Sequence, residues 1–269
     1  MRNRTHLIIG AGKMGGALIK GWILSEIITP EQLLIIDPYP SEEANKAIKA
    51  GALHLKTPNN KLQDVQTTIL AIKPQKINEL PNGLSKYLPQ DSLIISILAG
   101  TKIEKLQGVF NNHAIVRAMP NTPSSIAKGI TGFVKNSKVN NNQTLEVMKL
   151  FQALGKVYEL NNETHINTIT GISGSGPAYL FYFIEVLERA AIEHGLPEEF
   201  AAIFARETII GSAALLENSN DTPAKLRQNV TSPKGTTEAA LKILMKKNGL
   251  EQLIHETVHA AIKRSKNLE

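Results

Sequence analysis

The chain has no cysteine among its 269 residues, which excludes disulfide bonds, thiolate catalysis and thiolate metal ligands. Aromatic residues are few, at 5%, and no apolar run is long enough to cross a bilayer. The basic residues at the start are not followed by an apolar segment of signal-peptide length. These absences favour a cytoplasmic protein with no membrane partner.

Both signs of charge are present, with 30 Lys and Arg against 24 Asp and Glu. The cations are spread along the chain, and two loose clusters, 246–247 and 263–266, come late in predicted helices, where cations suit the helix dipole. A mildly basic surface that attracts an anionic cofactor and substrate explains the excess. We therefore expect no nucleic-acid partner.

Strand-like and helix-like segments alternate from residue 5 to about residue 160, a pattern typical of a doubly wound α/β sheet. The strand-like segments are 6–9, 33–36, 67–72, 92–97 and 114–117. Beyond residue 160 the segments are all typical of helices, at 164–170, 177–194, 197–217, 223–229 and 236–266. The sequence predicts an α/β, Rossmann-type dinucleotide-binding domain over 1–160 and an all-helical domain over 161–269.

A glycine-rich turn, Gly10-Ala11-Gly12-Lys13-Met14-Gly15, lies between the first predicted strand and a helical pattern. In the dinucleotide-binding fingerprint the first glycine permits a tight turn, the second lets the backbone approach a pyrophosphate, and the third lets the helix lie close to the strand. Asp37 ends the second strand, about 25 residues after Gly12, where a ribose-binding acid is expected. These features predict a nucleotide-binding fold.

The preferred dinucleotide stays open at this stage. The carboxylate of Asp37 favours NAD, because it pairs with a ribose 2′-hydroxyl and repels a 2′-phosphate. Ser41 follows closely, however, and Lys13 and Lys73 could approach the same end of the groove. Both NADPH and NADH are therefore kept, as is the alternative that Asp37 merely ends a strand.

Two further loops follow predicted strands, at the edge where ligands of doubly wound sheets bind. Lys73-Pro74 comes after 67–72, and Asn121-Thr122 lies between two prolines after 114–117. The prolines stiffen the second loop, and neither Asn121 nor Thr122 has an obvious helix to cap. We predict that Asn121 and Thr122 contact a ligand.

Residues 231–237, Thr-Ser-Pro-Lys-Gly-Thr-Thr, place small hydroxyls and a glycine just before a strongly helical run. Backbone N–H groups at a helix N-terminus are unpaired and lie at the positive end of the helix dipole, so a carboxylate can bind there without an arginine. The alternative is an ordinary helix cap with Ser232 or Thr231 as the capping oxygen.

The helix predicted over 177–194 is apolar almost all round. A helical domain of about 110 residues can hardly bury such a helix alone, so we predict that a partner chain covers it. The alternative is a central helix buried within its own domain.

No metal site is expected. Residues 255–259 match the HExxH pattern of zinc proteases, with both imidazoles on one helix face. The extended motif would need glycine and histidine where Ile262 and Ser265 stand, so solvent-facing histidines are the better interpretation.

Taken together, the motifs resemble the Δ1-pyrroline-5-carboxylate reductase family over nearly the whole chain. The segments that carry the resemblance are 10–15, 71–74, 117–123, 171–179 and 230–237. The resemblance implies a Rossmann domain and a helical substrate domain that interlocks with a second subunit, in a homodimer or a larger homo-oligomer of dimers. It also implies an NADPH- or NADH-dependent oxidoreductase that reduces the cyclic imine Δ1-pyrroline-5-carboxylate to L-proline, the last step of proline biosynthesis.

The same resemblance assigns site residues. Those implied for the cofactor are Gly10, Gly12, Lys13, Met14, Gly15, Asp37, Ala71, Lys73, Pro74 and Asn121. Those implied for the substrate are Ser232, Gly235, Thr236 and Thr237, with the Thr237 hydroxyl near the ring nitrogen as the catalytic group. Two positions depart from the family: Lys234 stands where a small residue is usual, and Asp37 stands where small polar residues or arginine are common.

Two other functions fit parts of the sequence. A β-hydroxyacid dehydrogenase also joins a Rossmann domain to a helical one, but the position of its general acid/base lysine is Leu180 here. A non-enzymatic dinucleotide sensor would need no substrate turn, and the residues of 232–237 argue against it.

Overall fold

The structure is a computed structural model that describes residues 4–80 and 83–269. Within these ranges the strands are β1 His6–Ile9, β2 Leu33–Ile36, β3 Leu53–Leu55, β4 Thr67–Leu70, β5 Leu93–Ser96, β6 Ala114–Met119, β7 Gly129–Lys135 and β8 Gly155–Glu159. The helices are α1 Lys13–Leu24, α2 Glu42–Lys49, α3 Leu84–Tyr87, α4 Ile103–Phe110, α5 Asn141–Gln152, α6 Thr164–Ile169, α7 Gly176–Glu193, α8 Glu198–Glu217, α9 Pro223–Asn229, α10 Thr236–Leu244 and α11 Leu250–Lys266.

The strands form one sheet in the order β3-β2-β1-β4-β5-β6-β7-β8. Strands β1 to β6 pair in parallel, β7 runs antiparallel to β6, and β8 runs parallel to β7. The chain leaves β1 toward β2 and β3 on one side and returns to β4 on the other, so a crevice opens beyond the carboxyl ends of β1 and β4. The predicted doubly wound α/β fold is confirmed.

Apolar runs identify the central strands because both faces of the sheet are covered. Leu7 and Ile9 of β1 lie in one hydrophobic core, and Ile8 lies in the other, so successive residues are buried on opposite faces. Strands β3, β7 and β8 were not singled out from the sequence. In β8 only Val157 is buried, so no apolar run marks it.

Contacts divide the chain into two compact units. Unit 1 comprises the residues up to Ser175 together with Ala261–Glu269, and unit 2 comprises Gly176–Ala260. Helix α6 belongs to unit 1 because the side chain of Ile166 packs with Met119 and Val134 of the sheet. The contact division therefore falls later in the chain than the change from strands to helices near residue 160.

Unit 1 contains an ionic cluster around Arg117, which lies on β6 and is fully buried. Its Nη1 lies 2.9 Å from Glu163 Oε1 and 3.4 Å from Glu269 Oε1, and Lys102 Nζ lies 2.8 Å from Glu269 Oε2. Burial opposes ionisation of Glu269, but hydrogen bonds from Lys102 and Asn167 and the neighbouring positive charges outweigh it and lower the pKa of the carboxyl. The cluster joins the residues after α11 to the sheet.

Unit 2 is made of helices that bury very little by themselves. Among residues 176–260, all of which are described, only Ala201 and Ala205 are buried. Many large apolar side chains are exposed, among them Phe181, Tyr182, Phe183, Phe200, Ile203, Phe204, Leu215, Leu216 and Leu253. Within residues 4–80 and 83–269, no helix has the length and hydropathy needed to span a bilayer.

The prediction of one helix over 236–266 is wrong. The segment forms two helices, α10 and α11, separated by residues 245–249. Gly249 makes the turn: its N–H donates to the carbonyl oxygen of Lys246 at 2.8 Å, and a Cβ there would collide with the carbonyl oxygen of Leu244. The apolar spacing continues through the break, which is why periodicity alone did not reveal it.

Candidate cofactor and carboxylate sites

The glycine turn of unit 1 has space for a side chain at one of its three glycines and none at the other two. Gly10 has a φ of 92°, and a Cβ there would lie 2.6 Å from the backbone of Ala71. A Cβ on Gly15 would collide with the carbonyl oxygen of Gly10. A Cβ on Gly12 would meet no atom within 4 Å, so the turn is open there. Two glycines therefore pack the turn, while the open backbone at Gly12 fits the approach of a pyrophosphate.

Helix α1 begins directly after this opening. Gly12 is its N-cap and provides no side-chain cap, so the N–H groups of the first turn remain available to an anion. Lys13 is exposed and Met14 is half-buried at the start of the helix. The geometry and the positive end of the helix dipole suit a pyrophosphate group.

Asp37 lies beside the glycine turn rather than only at the end of β2. Its Oδ2 accepts a hydrogen bond from the N–H of Ala11 at 2.5 Å, and its Oδ1 accepts one from the N–H of Tyr39 at 2.7 Å. The carbonyl oxygen of Asp37 lies 2.8 Å from Nε2 of His54. The carboxylate is thus held where the ribose of a dinucleotide is expected, and its contact with a ribose stays a prediction.

The loop after β4 lies at the same edge of the sheet. The N–H of Ala71 donates to the carbonyl oxygen of Ile9 at 2.8 Å, which places Ala71 against Gly10. Lys73 is exposed, and Pro74 begins a short 3₁₀ helix. Their predicted position beside the cofactor groove is consistent with this arrangement.

Asn121 is a buried connector, which sequence reasoning missed. It is 8% exposed; its Oδ1 accepts from the N–H of Ile130 at 2.9 Å, and its Nδ2 donates to the carbonyl oxygen of Ser173 at 3.2 Å. The amide therefore ties the loop after β6 to β7 and to the short π-helical turn Thr170–Gly174. The ligand contacts predicted for Asn121 and Thr122 remain predictions, and the second N–H of the Asn121 amide is the available donor for the first of them.

The turn of unit 2 before α10 has no side-chain cap. The N-cap residue is Gly235, and neither Ser232 nor Thr231 takes the capping position. Thr231 Oγ1 instead donates to the carbonyl oxygen of Arg227 at 2.6 Å. The N–H of Gly235 donates to the carbonyl oxygen of Ser232 at 3.0 Å. The ordinary cap is therefore excluded, and the first N–H groups of α10, which include those of Thr236 and Thr237, are oriented to receive an anion.

Two residues determine the shape of this turn. A Cβ on Gly235 would collide with Ser232 Oγ and lie 3.0 Å from the carbonyl oxygen of Ser232, so glycine lets the turn close tightly there. Lys234 has a φ of 59°, in the left-handed region that favours glycine. The N–H of Lys234 donates to Glu238 Oε2 at 2.7 Å, so the turn already binds one carboxylate of its own chain.

Replacing Lys234 by glycine is expected to raise the free energy of unfolding by up to about 1 kcal/mol. An L-residue in the left-handed conformation costs about 1–2 kcal/mol, and glycine removes this strain. Glycine also has a larger conformational entropy in the unfolded chain, which takes back about 0.5–1 kcal/mol of that gain. Urea unfolding at one protein concentration measures the change. The control, Lys242→Gly within α10, should instead lose about 1 kcal/mol. A loss in both variants would show that the turn is not strained.

Two other features lie apart from these sites. His255 and His259 are exposed on α11, and the described ranges 4–80 and 83–269 contain no group of three or more His, Asp or Glu arranged to hold a metal ion.

A cavity of about 1010 Å³ lies at the amino-terminal edge of the sheet, lined by the first residues of β1, β4 and β5. At that edge a hydrogen bond with His6 lowers the pKa of Glu146. Because dinucleotides bind at the carboxyl edge, we assign this cavity no cofactor role.

Comparisons with known proteins identify the family of the chain. Residues 163–268 match the family model for pyrroline-5-carboxylate reductase dimerisation, and residues 6–100 match the model for F420-dependent NADP oxidoreductases. A pyrroline-5-carboxylate reductase from Synechocystis sp. is 35% identical over 97% of this chain and 97% of its own length.

Two solved structures are similar along their full length. A Plasmodium falciparum pyrroline carboxylate reductase with NADP bound has a TM-score of 0.86 at 30% identity, covering 100% of this chain and 99% of the other. A pyrroline-5-carboxylate reductase from Coxiella burnetii has a TM-score of 0.88 at 31% identity, covering 99% of both chains. The resemblance inferred from the motifs is confirmed.

Proposed function

The chain belongs to the pyrroline-5-carboxylate reductase family, and from that premise we propose which of its residues perform the reaction. The enzyme reduces Δ1-pyrroline-5-carboxylate to L-proline, the last step of proline biosynthesis, with NADPH or NADH as the hydride donor. Imine reduction therefore takes precedence over the β-hydroxyacid dehydrogenase and sensor alternatives. The observation that carries the assignment of residues is the uncapped N-terminus of α10.

The dinucleotide is held by unit 1 in this proposal. Gly12 and the first turn of α1 bind the pyrophosphate, Asp37 binds the adenosine ribose, and the loop of Lys73 and Pro74 lines the groove. The fit rests on the open backbone at Gly12 and on the carboxylate held beside Ala11. When bound, the dinucleotide supplies a hydride to the C=N carbon of the substrate.

The substrate carboxylate binds the turn before α10. The N–H groups of Thr236 and Thr237 and the positive end of the helix dipole receive it, within a turn shaped by Ser232 and Gly235. The Thr237 hydroxyl accepts a hydrogen bond from the protonated ring nitrogen and so orients the C=N bond. A cyclic imine is protonated far more readily than a ketone, so the chain needs no strong acid and contributes mainly proximity and orientation.

We also propose that the enzyme is a homodimer, or an assembly of such dimers, formed through unit 2. The exposed phenylalanines of α7 and α8 support this, because large apolar side chains exposed together on one unit are typical of protein–protein interfaces. The match of 163–268 to a dimerisation model points the same way. A cytoplasmic location is proposed as well, because the absence of cysteine suits a reducing compartment.

The reaction is tested by following nicotinamide oxidation with the purified protein. NADH or NADPH should be consumed only when the cyclic imino acid is present, and proline should compete weakly at the same site. A 3-hydroxy acid with NAD⁺ serves as the control substrate and should give no turnover. Turnover of the hydroxy acid without turnover of the imine would contradict the assignment.

A further inference from the structure

We infer that Asp37, with the acidic start of α2, makes this enzyme select NADH over NADPH. The inference uses the dinucleotide site of the proposed function and adds a preference that membership of the family does not decide. It concerns the residues that would meet the 2′-position of the adenosine ribose.

The loop between β2 and α2 is held firmly against the glycine turn. Ala11 makes both connections: its N–H donates to Asp37 Oδ2 at 2.5 Å, and its carbonyl oxygen accepts from the N–H of Ser41 at 3.0 Å. Ser41 lies so close to Gly16 that a Cβ there would lie 2.5 Å from Ser41 Oγ. The Asp37 carboxylate therefore cannot move away from a ligand at the turn without breaking these contacts.

The Asp37 carboxylate suits a ribose hydroxyl and opposes a phosphate. Each of its oxygens accepts one backbone N–H bond and keeps a further lone pair that can accept from a hydroxyl. A 2′-phosphate offers no matching donor when ionised and brings negative charge to a carboxylate that is held in place. NADPH would thus meet repulsion at the point where NADH gains a hydrogen bond.

The neighbouring charges within 37–46 leave no unpaired cation for a 2′-phosphate. The segment 37–46 carries three carboxylates, on Asp37, Glu42 and Glu43, and a single cation, Lys46. Lys46 Nζ lies 2.9 Å from Glu42 Oε1 and 3.4 Å from Glu43 Oε1, so it is already paired with carboxylates. The hydrogen bond and charge of Lys46 lower the pKa of Glu42.

The two lysines of α1, Lys13 and Lys20, do not replace a phosphate-binding arginine. Lys20 on α1 lies 3.8 Å from Glu43 and is directed to the same carboxylates. Lys13 is the first residue of α1 and follows Gly12 directly. In the proposed site its charge therefore serves the pyrophosphate, which both dinucleotides share. The 2′-phosphate, which is the only group that distinguishes NADPH from NADH, would therefore lie next to the carboxylates of 37–46.

Binding measured without substrate tests the inference directly. Fluorescence titration of the purified enzyme should give NADH a dissociation constant at least about tenfold lower than that of NADPH. The ratio should shrink as salt is raised, because salt screens charge repulsion. AMP should likewise bind more tightly than adenosine 2′,5′-bisphosphate. Equal or tighter binding of NADPH, or a preference that salt does not change, would overturn the inference.

Two matched variants locate the effect. Asp37→Asn should bring the NADH to NADPH ratio close to one, whereas Asp91→Asn, with the same charge change at the amino-terminal edge of the sheet, should leave the ratio unchanged. If Asp37→Asn does not fold, the double variant Glu42→Gln, Glu43→Gln provides the test. It should still shift the ratio of NADH to NADPH affinity severalfold toward NADPH. An unchanged ratio in the folded Asp37 variant, or in the double variant, would contradict the inference.

These results are separable from the proposed function. Tight NADH binding without reduction of the cyclic imine would sink the assigned reaction and leave the cofactor preference standing. Reduction of the imine with equal binding of both dinucleotides would contradict the cofactor preference and leave the assigned reaction standing.

Discussion

Thr237→Ala is expected to lower turnover of the cyclic imine about tenfold or more while the affinity for the dinucleotide stays near normal. A single hydrogen bond to the ring nitrogen contributes on the order of 1–2 kcal/mol, which corresponds to about a tenfold change in rate. The hydroxyl makes no cap for α10, so its loss should leave the helix in place. Thr237→Ser should restore most of the activity. Steady-state kinetics and dinucleotide titration provide the measurements.

Thr222→Ala is the matched control for this prediction. The Thr222 hydroxyl caps α9, accepting from the N–H of Lys225 at 3.3 Å, so its removal should cost about 1 kcal/mol of stability and leave turnover unaltered. If Thr237→Ala instead lost stability with normal turnover, the hydroxyl would be structural. A stable and fully active Thr237→Ala protein would remove this residue from the mechanism.

Phe183→Glu is expected to dissociate the oligomer and to unfold unit 2. Phe183 lies on α7 and is 41% exposed in the single chain. In the proposed dimer the new carboxylate would be buried without a partner, at a cost of several kcal/mol. Activity should vanish, while the Rossmann unit should still bind the dinucleotide. Sedimentation at low micromolar concentration, with circular dichroism, measures both changes.

The control for the oligomer is Leu145→Glu, which places the same charge on an exposed apolar residue of α5 in unit 1. It should leave the sedimentation coefficient unchanged. A wild-type chain that sediments as a compact monomer of about 29 kDa with full reductase activity would contradict the proposed assembly. The apolar face of α7 would then need a different explanation.

Local patterns were enough to predict the dinucleotide turn and five of the eight strands of the sheet. Each glycine of the 10–15 turn has a geometric role that depends only on neighbouring residues and the adjacent strand, so the motif carries its structure with it. The central strands were recognisable because burial on both faces leaves unbroken apolar runs. The edge strands β3 and β8 lack such runs, and their pairing depends on distant neighbours.

Polar residues were harder to assign, because their roles depend on partners far away in the sequence. Asn121 is predicted to contact a ligand, and only the structure shows that its amide also bonds to Ile130 and Ser173; the ligand contact stays a prediction. Arg117 pairs with Glu163 and Glu269, and no local pattern indicated that ionic cluster. Even the capping alternative for 231–237 needed coordinates, since hydroxyl-rich turns cap helices more often than they bind ligands.

By itself, the sequence determined the doubly wound fold, the dinucleotide turn and the family, because these follow from spacing and residue type along short stretches. Only the tertiary structure decided that Asp37 is held at the glycine turn, that α10 begins uncapped, and that unit 2 leaves its apolar side chains exposed. Hydrogen-bond partners and burial are properties of residues brought together from different elements. A pattern along one element predicts the element, whereas its neighbours in space determine what its side chains are free to bind.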